Sequence, residues 1–364
     1  MPAVAKARVL IVDDAVVIRK ALTDVLSRDA ALEVVGAASN GRMALSKIPL
    51  LKPDVILLDI EMPEMSGLEA IPEIRKLDPR VPIIMFSTLT ERGAVATLEA
   101  LSLGATDYVT KPSNLDAGAA SRCIADELIP RIKGLCRLPL SWSSQSKPGT
   151  PPAPGVFRPR VMPPPTSPVK VVVIGVSTGG PEALAHVLPV LPAEFPVPIL
   201  IAQHMPPIFT AMLAGRLSEK SAIPVRECRS GEALSPGVAW IAPGDFHMEV
   251  RHESGSVRLR THQGPRENSC RPAVDVLFRS VATLFGAHSL AVVLTGMGQD
   301  GLKGCEALAA KGARILAQDE ASSIVWGMPG FVARAGLAEK VLPLDQIGAE
   351  IVRRVPVRRH AAFR

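Results

Sequence analysis

Between Gly134 and Pro168 the chain reads GLCRLPLSWSSQSKPGTPPAPGVFRPRVMPPPTSP, with ten prolines in 35 residues and no acidic side chain. Proline fixes φ and lacks a backbone donor, so such a run suits neither a helix interior nor a central strand. It favours extended polyproline II and makes a semi-rigid, solvated spacer. The segment therefore divides the 364 residues into two halves. Two domains is also what the length suggests at roughly 150 residues each. The expected organisation is a first domain over 1–133, a linker over 134–168, a second domain over 169–356 and a basic tail over 357–364. Docking of a proline-binding module is the other use open to the linker.

An apolar content of 47% with 21% charged residues fits a soluble globular protein with a sizeable core. The net charge of +6 is unevenly placed. Residues 1–133 carry 16 basic and 18 acidic side chains, the linker four basic ones, and 169–364 carry 21 basic and 17 acidic. Five of the last positives are Arg353, Arg354, Arg358, Arg359 and Arg364. The excess thus belongs to connector and tail, and neither half is a basic platform for nucleic acid. A single tyrosine and three tryptophans leave little for stacking on bases. Cys123, Cys136, Cys228, Cys270 and Cys305 form no C-x-x-C pair and read as free thiols in a reducing compartment. The apolar stretch after Lys6 and Arg8 stops at Asp13, too soon for a signal peptide. Prolines, Gln203 and His204 break the most apolar later window, 195–215, so no membrane span is expected. A cytoplasmic protein is the expectation.

Before the linker, short β-branched runs alternate with segments of helical period. Strands are predicted at Arg8–Val12, Leu32–Ala38, Val55–Leu58, Ile83–Phe86 and Thr106–Val109. Helices are predicted at 16–28, 41–49, 67–77, 91–103 and from about 116. Five βα units imply a flavodoxin-like, doubly wound parallel sheet. After the linker the alternation resumes with strands at Val171–Gly175, Val197–Gln203, Ser289–Leu294 and Ala313–Ala317. Helices fall near 181–191, 208–219, 273–285 and 301–311, and a turn-rich stretch over 225–262 reads as a small antiparallel excursion. This half is a second α/β domain, Rossmann-like and doubly wound.

In open α/β sheets, ligands bind beyond the carboxyl ends of the strands. In the first half those ends carry Asp13 and Asp14, Asp59, Ser87 and Lys111. Three converging carboxylates repel unless a hard cation sits among them, and Mg²⁺ takes such oxygen ligands. Asp59 could then attack phosphorus, with Lys111 and Ser87 on the phosphoryl oxygens. Helix capping could explain any one of these residues, but hardly the whole set. The motifs VDDA (12–15), LLDIEMPEMSG (57–67), IIMFSTLT (83–90), GATDY (104–108) and TKP (110–112) resemble the receiver domain of two-component response regulators. The resemblance implies that Asp59 is the phospho-acceptor and that Asp13, Asp14 and the Glu61 backbone carbonyl join it around Mg²⁺. It also implies that Ser87 and Tyr108 are the switch pair beside Lys111, and that the Lys111–Pro112 bond is cis.

In the second half, the first strand runs into Gly175-Val176-Ser177-Thr178-Gly179-Gly180-Pro181. A serine on a strand-to-helix turn presents its Oγ at the sheet edge, and the next N–H and the helix N-terminus both face a nearby oxyanion. A dinucleotide loop is the rival, but G-x-G-x-x-G is absent. The second strand ends in His204, and the third in Thr295-Gly296-Met297-Gly298-Gln299-Asp300. Asp300 could cap the following helix or orient His204. Nucleophile, base and acid at three strand ends compose a Ser-His-Asp arrangement in an order unlike that of the α/β-hydrolases. The motifs GVSTGGPEAL (175–184), IAQHMP (201–206), RPAVDVLF (271–278), VVLTGMGQDG (292–301) and QDEASSIVWGMPG (318–330) resemble the catalytic domain of the chemotaxis protein-glutamate methylesterase (CheB) family. That resemblance implies Ser177, His204 and Asp300 as the triad, with the Thr178 and Met297 amides as oxyanion hole and no cofactor for hydrolysis. It further implies a phosphorylation-activated hydrolase, a monomer, which demethylates glutamate methyl esters and deamidates glutamines on methyl-accepting chemotaxis receptors. Its phosphodonor would be the chemotaxis histidine kinase. A DNA-binding effector and a nucleotide-dependent oxidoreductase are the alternatives from other classes.

Overall fold

The computed structural model describes residues 6–111, 117–138, 167–253 and 255–355. The chain divides into two compact units, Met1–Lys147 and Pro148–Arg364. The first unit contains β1 (Ala7–Val12), α1 (Val16–Leu26), β2 (Leu32–Ala38), α2 (Gly41–Leu51), β3 (Val55–Asp59) and α3 (Gly67–Leu77). It continues with β4 (Ile83–Ser87), α4 (Glu91–Ser102), β5 (Asp107–Thr110) and α5 (Ala117–Leu135). β1, β3 and β4 are almost wholly buried apolar runs, as a parallel sheet covered on both faces requires. Their order is β2-β1-β3-β4-β5, with all neighbours parallel. On one face Val9, Ile11, Leu57 and Phe86 pack with Leu22 and Leu26 of α1 and with Leu128 and Ile132 of α5. Helix starts follow local chemistry: Ser66 and Glu69 close a capping box on α3, and Asn40 caps α2 by accepting from the Met43 N–H. Strand order turns back between β1 and β3, so Asp13 and Asp59 emerge at the topological switch point. α5 runs two residues past the boundary expected at 133.

The second unit opens with β6 (Val171–Val176), α6 (Gly180–Val187), β7 (Ile199–Gln203) and α7 (Phe209–Lys220). Next come β8 (Val225–Glu227), β9 (Ala239–Ile241), β10 (His247–Glu253), β11 (Ser256–His262), α8 (Val274–Phe285) and β12 (Ser289–Val293). It ends with α9 (Leu302–Ala310), β13 (Arg314–Gln318), α10 (Met328–Arg334), β14 (Lys340–Leu342) and α11 (Leu344–Arg354). The seven strands of its main sheet lie β14-β13-β12-β6-β7-β9-β8, all parallel. The chain builds outward from β6 on one side, then returns to lay β12 on the other. Ser177 after β6 and the 294–301 loop after β12 therefore straddle the second switch point.

The turn-rich stretch divides. β8 and β9 join the parallel sheet as three-residue strands, and only β10 and β11 form the antiparallel pair. Strands that short carry no period, so their pairing is set by the sheet they meet. A further strand and two helices follow Gln318. Arg353 and Arg354, which the charge count assigned to the tail, belong to α11. Arg354 is half-buried, paired with Glu339 at 2.8 and 3.0 Å and with Glu350 at 2.7 Å.

Candidate active site and acidic pocket

β6 and β7 run side by side, with Val176 in register with Gln203. Ser177 and His204, the next residue on each strand, are therefore neighbours. The His204 N–H donates to the Val176 carbonyl at 3.2 Å. The Gln203 amide then ties the two turns together, its Nε2 donating to the Ser177 carbonyl at 3.0 Å and to the His204 carbonyl at 3.3 Å. Gly179, at φ +75°, turns the chain from Ser177 into α6 in a left-handed conformation that suits glycine. Gly296 lets the β12 loop close on the serine, since a Cβ there would sit 2.8 Å from that of Ser177 and 2.4 Å from the Met328 sulfur.

His204 is joined to Asp300, its Nε2 lying 2.8 Å from Oδ2. Asp300 is 2% exposed, and four further N–H groups donate to it. Oδ2 also accepts from the Val274 amide at 2.6 Å; Oδ1 accepts from the Asp275 and Gly301 amides at 3.0 Å and from Asn268 Nδ2 at 2.8 Å. Burial opposes its ionisation, but His204 and the amides at the start of α8 outweigh that and hold the carboxyl below its usual range. With Asp300 ionised, Nε2 of His204 carries the proton and Nδ1 is the basic nitrogen. Nδ1 faces the Cys270 sulfur at 3.5 Å. Burial disfavours the imidazolium, yet Cys270 and Asp300 raise the His204 pKa to about 10. In the neutral imidazole Nδ1 is then the one nitrogen with a lone pair to take a proton.

The structure thus brings His204 and Asp300 into direct contact and sets Ser177 next to His204 on the neighbouring strand. The Ser177 hydroxyl itself makes no hydrogen bond among the described residues, and apo sites often tighten such bonds only with substrate. Thr178 is buried, with its carbonyl accepting from the Thr295 hydroxyl at 3.0 Å. The Met297 N–H has no partner among the described residues. The loop that carries it is laced to 318–328: Gly296 donates to the Val325 carbonyl, Met328 to the Gly296 carbonyl, and Thr295 to the Gln318 side chain. Sequence reasoning did not single out Gln203, Asn268, Cys270 or Asp275. All but Asn268 lie inside or at the edge of motifs it used, but only the fold reveals what they touch.

In the acidic pocket Lys111 Nζ bridges Asp13 at 2.9 Å and Asp59 at 2.8 Å. Oxygens of Asp13, Asp14 and Asp59 lie within 4.8 Å of one another. Burial raises the Asp59 pKa against the opposing pull of Lys111, with Asp13 adding to the rise. One lysine is a poor match for three carboxylates, and an all-oxygen donor set of this kind fits Mg²⁺. Glu61 lies at the rim, its side chain 3.4 Å from Arg92. The Ser87 hydroxyl is turned to the Gly93 carbonyl at 3.3 Å. Tyr108 is buried, which raises its phenol pKa. Pro112, and with it the expected cis bond, lies outside the described residues.

Two family models match the chain: CheB methylesterase over residues 172–351 and response regulator receiver domain over 9–121. A protein-glutamate methylesterase/protein-glutamine glutaminase of Trichodesmium erythraeum (strain IMS101) is 50% identical over 351 residues, 96% of this chain and 99% of that protein. One of the same name from Nocardioides sp. (strain ATCC BAA-499 / JS614) is 52% identical over 96% of this chain and 95% of its own. Among solved structures, the Thermotoga maritima CheB methylesterase catalytic domain is 42% identical with a TM-score of 0.50, covering 51% of this chain and 98% of that one. Paired strand-end sites, a receiver followed by a hydrolytic domain, and identity sustained over nearly the whole length lead to one conclusion: the chain belongs to the protein-glutamate methylesterase/protein-glutamine glutaminase family, as a response regulator receiver joined to a CheB methylesterase domain.

Proposed function

We propose that this chain is a phosphorylation-activated serine hydrolase that removes methyl from glutamate γ-methyl esters, and ammonia from glutamines, on methyl-accepting chemotaxis receptors in the cytoplasm. The observation that carries the reading is the 2.8 Å contact of the buried Asp300 carboxylate with His204 Nε2, which supports Nδ1 as the basic nitrogen of the pair. Nδ1 takes the Ser177 proton as Oγ attacks the ester carbonyl. The Thr178 and Met297 amides receive the oxyanion, and each is worth about 3–4 kcal/mol in the transition state. The imidazolium returns its proton to the leaving methanol, or to ammonia, and water then repeats the cycle on the acyl-serine.

In the receiver, Asp59 is the phospho-acceptor and takes its phosphoryl group from a chemotaxis histidine kinase. Asp13, Asp14, Asp59 and the Glu61 carbonyl would hold Mg²⁺, which offsets the charge gathering on the phosphoryl oxygens. Lys111 pairs with the new phosphoryl group, and Ser87 exchanges the Gly93 carbonyl for it. That rearrangement relieves inhibition of the catalytic domain. A tenfold activation needs only about 1.4 kcal/mol of coupling. The test is methanol release from methylated receptor membranes by the full chain, with and without a small phosphodonor, beside Asp59→Asn. Release that rises with the phosphodonor in wild type and stays low in the variant supports the reading; release equal in all arms refutes it.

A further inference from the structure

The turn between β11 and α8 reaches both members of the acid–base pair. Glu267 and Cys270 close it with reciprocal backbone bonds of 3.1 and 2.8 Å around Asn268 and Ser269, at φ +52° and +65°. Two adjacent left-handed residues define a tight two-residue turn, where asparagine is favoured. Arg279 of α8 anchors the turn through a two-pronged pairing with Glu267 at 2.7 and 2.6 Å. From this base Cys270 meets His204, and Asn268 extends its amide between two buried carboxylates. Its Nδ2 donates to Asp300 Oδ1 at 2.8 Å and to Asp275 Oδ2 at 2.9 Å.

We propose that Asn268 is a positioning residue for the hydrolase: its amide holds the Asp300 carboxylate so that Oδ2 keeps facing His204, and it screens Asp300 from Asp275. The inference rests on Ser177, His204 and Asp300 being the triad. Every other donor to Asp300 Oδ1 is a backbone N–H at the start of α8 or α9. Asn268 is the one side chain shown hydrogen-bonding to both acids among the described residues. Asp275 is 1% exposed and its Oδ1 is fixed by the Gly301 and Gly304 amides at 3.0 and 2.7 Å, so it cannot turn away from its neighbour. The other titratable groups around the pair are His204 from β7, Cys270 and Glu267 from the turn, Arg279 from α8 and Cys305 from α9.

Removing the amide leaves both carboxylates less satisfied. Each then holds a proton more readily, and Asp300 draws the proton on His204 more strongly. Both changes move the acid limb of kcat/KM to higher pH. Asn268→Gly keeps a residue suited to positive φ and deletes only the donor. Asn268→Asp keeps size and turn preference but adds a third acid. With methanol release as readout, the glycine variant is expected to lose about tenfold in kcat, the effect of one charge-assisted hydrogen bond, with KM little changed. Its acid limb should move up by about half a unit or more, and that of the aspartate variant further. Unchanged acid limbs in both variants, with loss confined to thermal stability, would overturn the proposal and make Asn268 a turn residue only. Ser177→Ala run alongside separates the two layers. If it keeps activity the triad reading falls, and this proposal with it; if it is inactive while both Asn268 variants keep the wild-type limb, this proposal alone is overturned.

Discussion

Asp300→Asn is the substitution whose consequence can be worked most closely from the geometry. Three N–H groups point at Oδ1 and two at Oδ2. An asparagine must place its own NH₂ at one of these positions, and the smaller conflict is at Oδ2. There it faces the Val274 amide and His204 Nε2. The backbone donor cannot adapt, but the imidazole can, by moving its proton from Nε2 to Nδ1. His204 would then present N–H where the Ser177 proton must go. The same tautomer error in a serine protease costs about ten-thousandfold in kcat. A loss of about a thousandfold to ten-thousandfold is expected here, or about 4–5.5 kcal/mol of barrier. One unpaired buried amide costs about 1–3 kcal/mol of stability. Relief of the repulsion on Asp275 returns part of that, so the domain should stay folded. Methanol release at saturating methylated membranes, with near-ultraviolet circular dichroism as a folding check, reads both quantities. A folded variant within tenfold of wild type would refute the assignment of Asp300 as the group that fixes the His204 tautomer.

Other consequences follow from particular contacts. Of the four cysteines described, Cys228 and Cys305 are buried, and burial pushes the Cys136 thiol up to about 12. Because Cys270 lies 3.5 Å from His204 Nδ1, a small maleimide reacting there should stop methanol release, and Cys270→Ser should keep activity and resist; equal inactivation of that variant would show the blocking thiol to be another. Asp14→Ala should weaken Mg²⁺ binding and slow phosphorylation of Asp59; unchanged affinity would reduce Asp14 to a residue at a helix start. Burial works against the ionised form of Glu350, but Arg353, Arg354 and Lys340 hold its pKa down at about 2. Its stabilisation is therefore complete above about pH 4.5 and lost as pH falls toward 2. Glu350→Gln should lower stability by about 1–3 kcal/mol at pH 7 and flatten the acid limb of a denaturation series; an unchanged series would contradict the pairing.

The receiver was legible almost residue by residue, because β1, β3 and β4 are short, almost wholly buried runs with an acid or hydroxyl at their ends and the helices between them have a clear period. The strand ends of the second unit were equally plain. Less legible was whatever depends on elements far apart in sequence. Three-residue β8 and β9 hold their places through parallel pairing with β7 and with each other, which no local pattern announces. Arg354 reads as tail charge until Glu339 and Glu350 are seen beside it. Asp275 reads as a first-turn acid of α8, and Asn268 as a turn residue; only the closing of α8 over the β12 loop turns them into partners of Asp300. The contact of Cys270 with His204 Nδ1 had no signal at all beyond proximity to a motif.

The central claim, that Ser177 is the nucleophile served by His204, can be tested in a single labelling measurement. The full chain would be treated with a serine-directed fluorophosphonate and digested, and the adduct mapped by mass spectrometry, with methanol release followed in parallel. One adduct is expected, on Ser177, forming as release is lost, with almost none in Asp300→Asn. An adduct on another residue that tracks the loss, or full release from a chain completely labelled at Ser177, would contradict it.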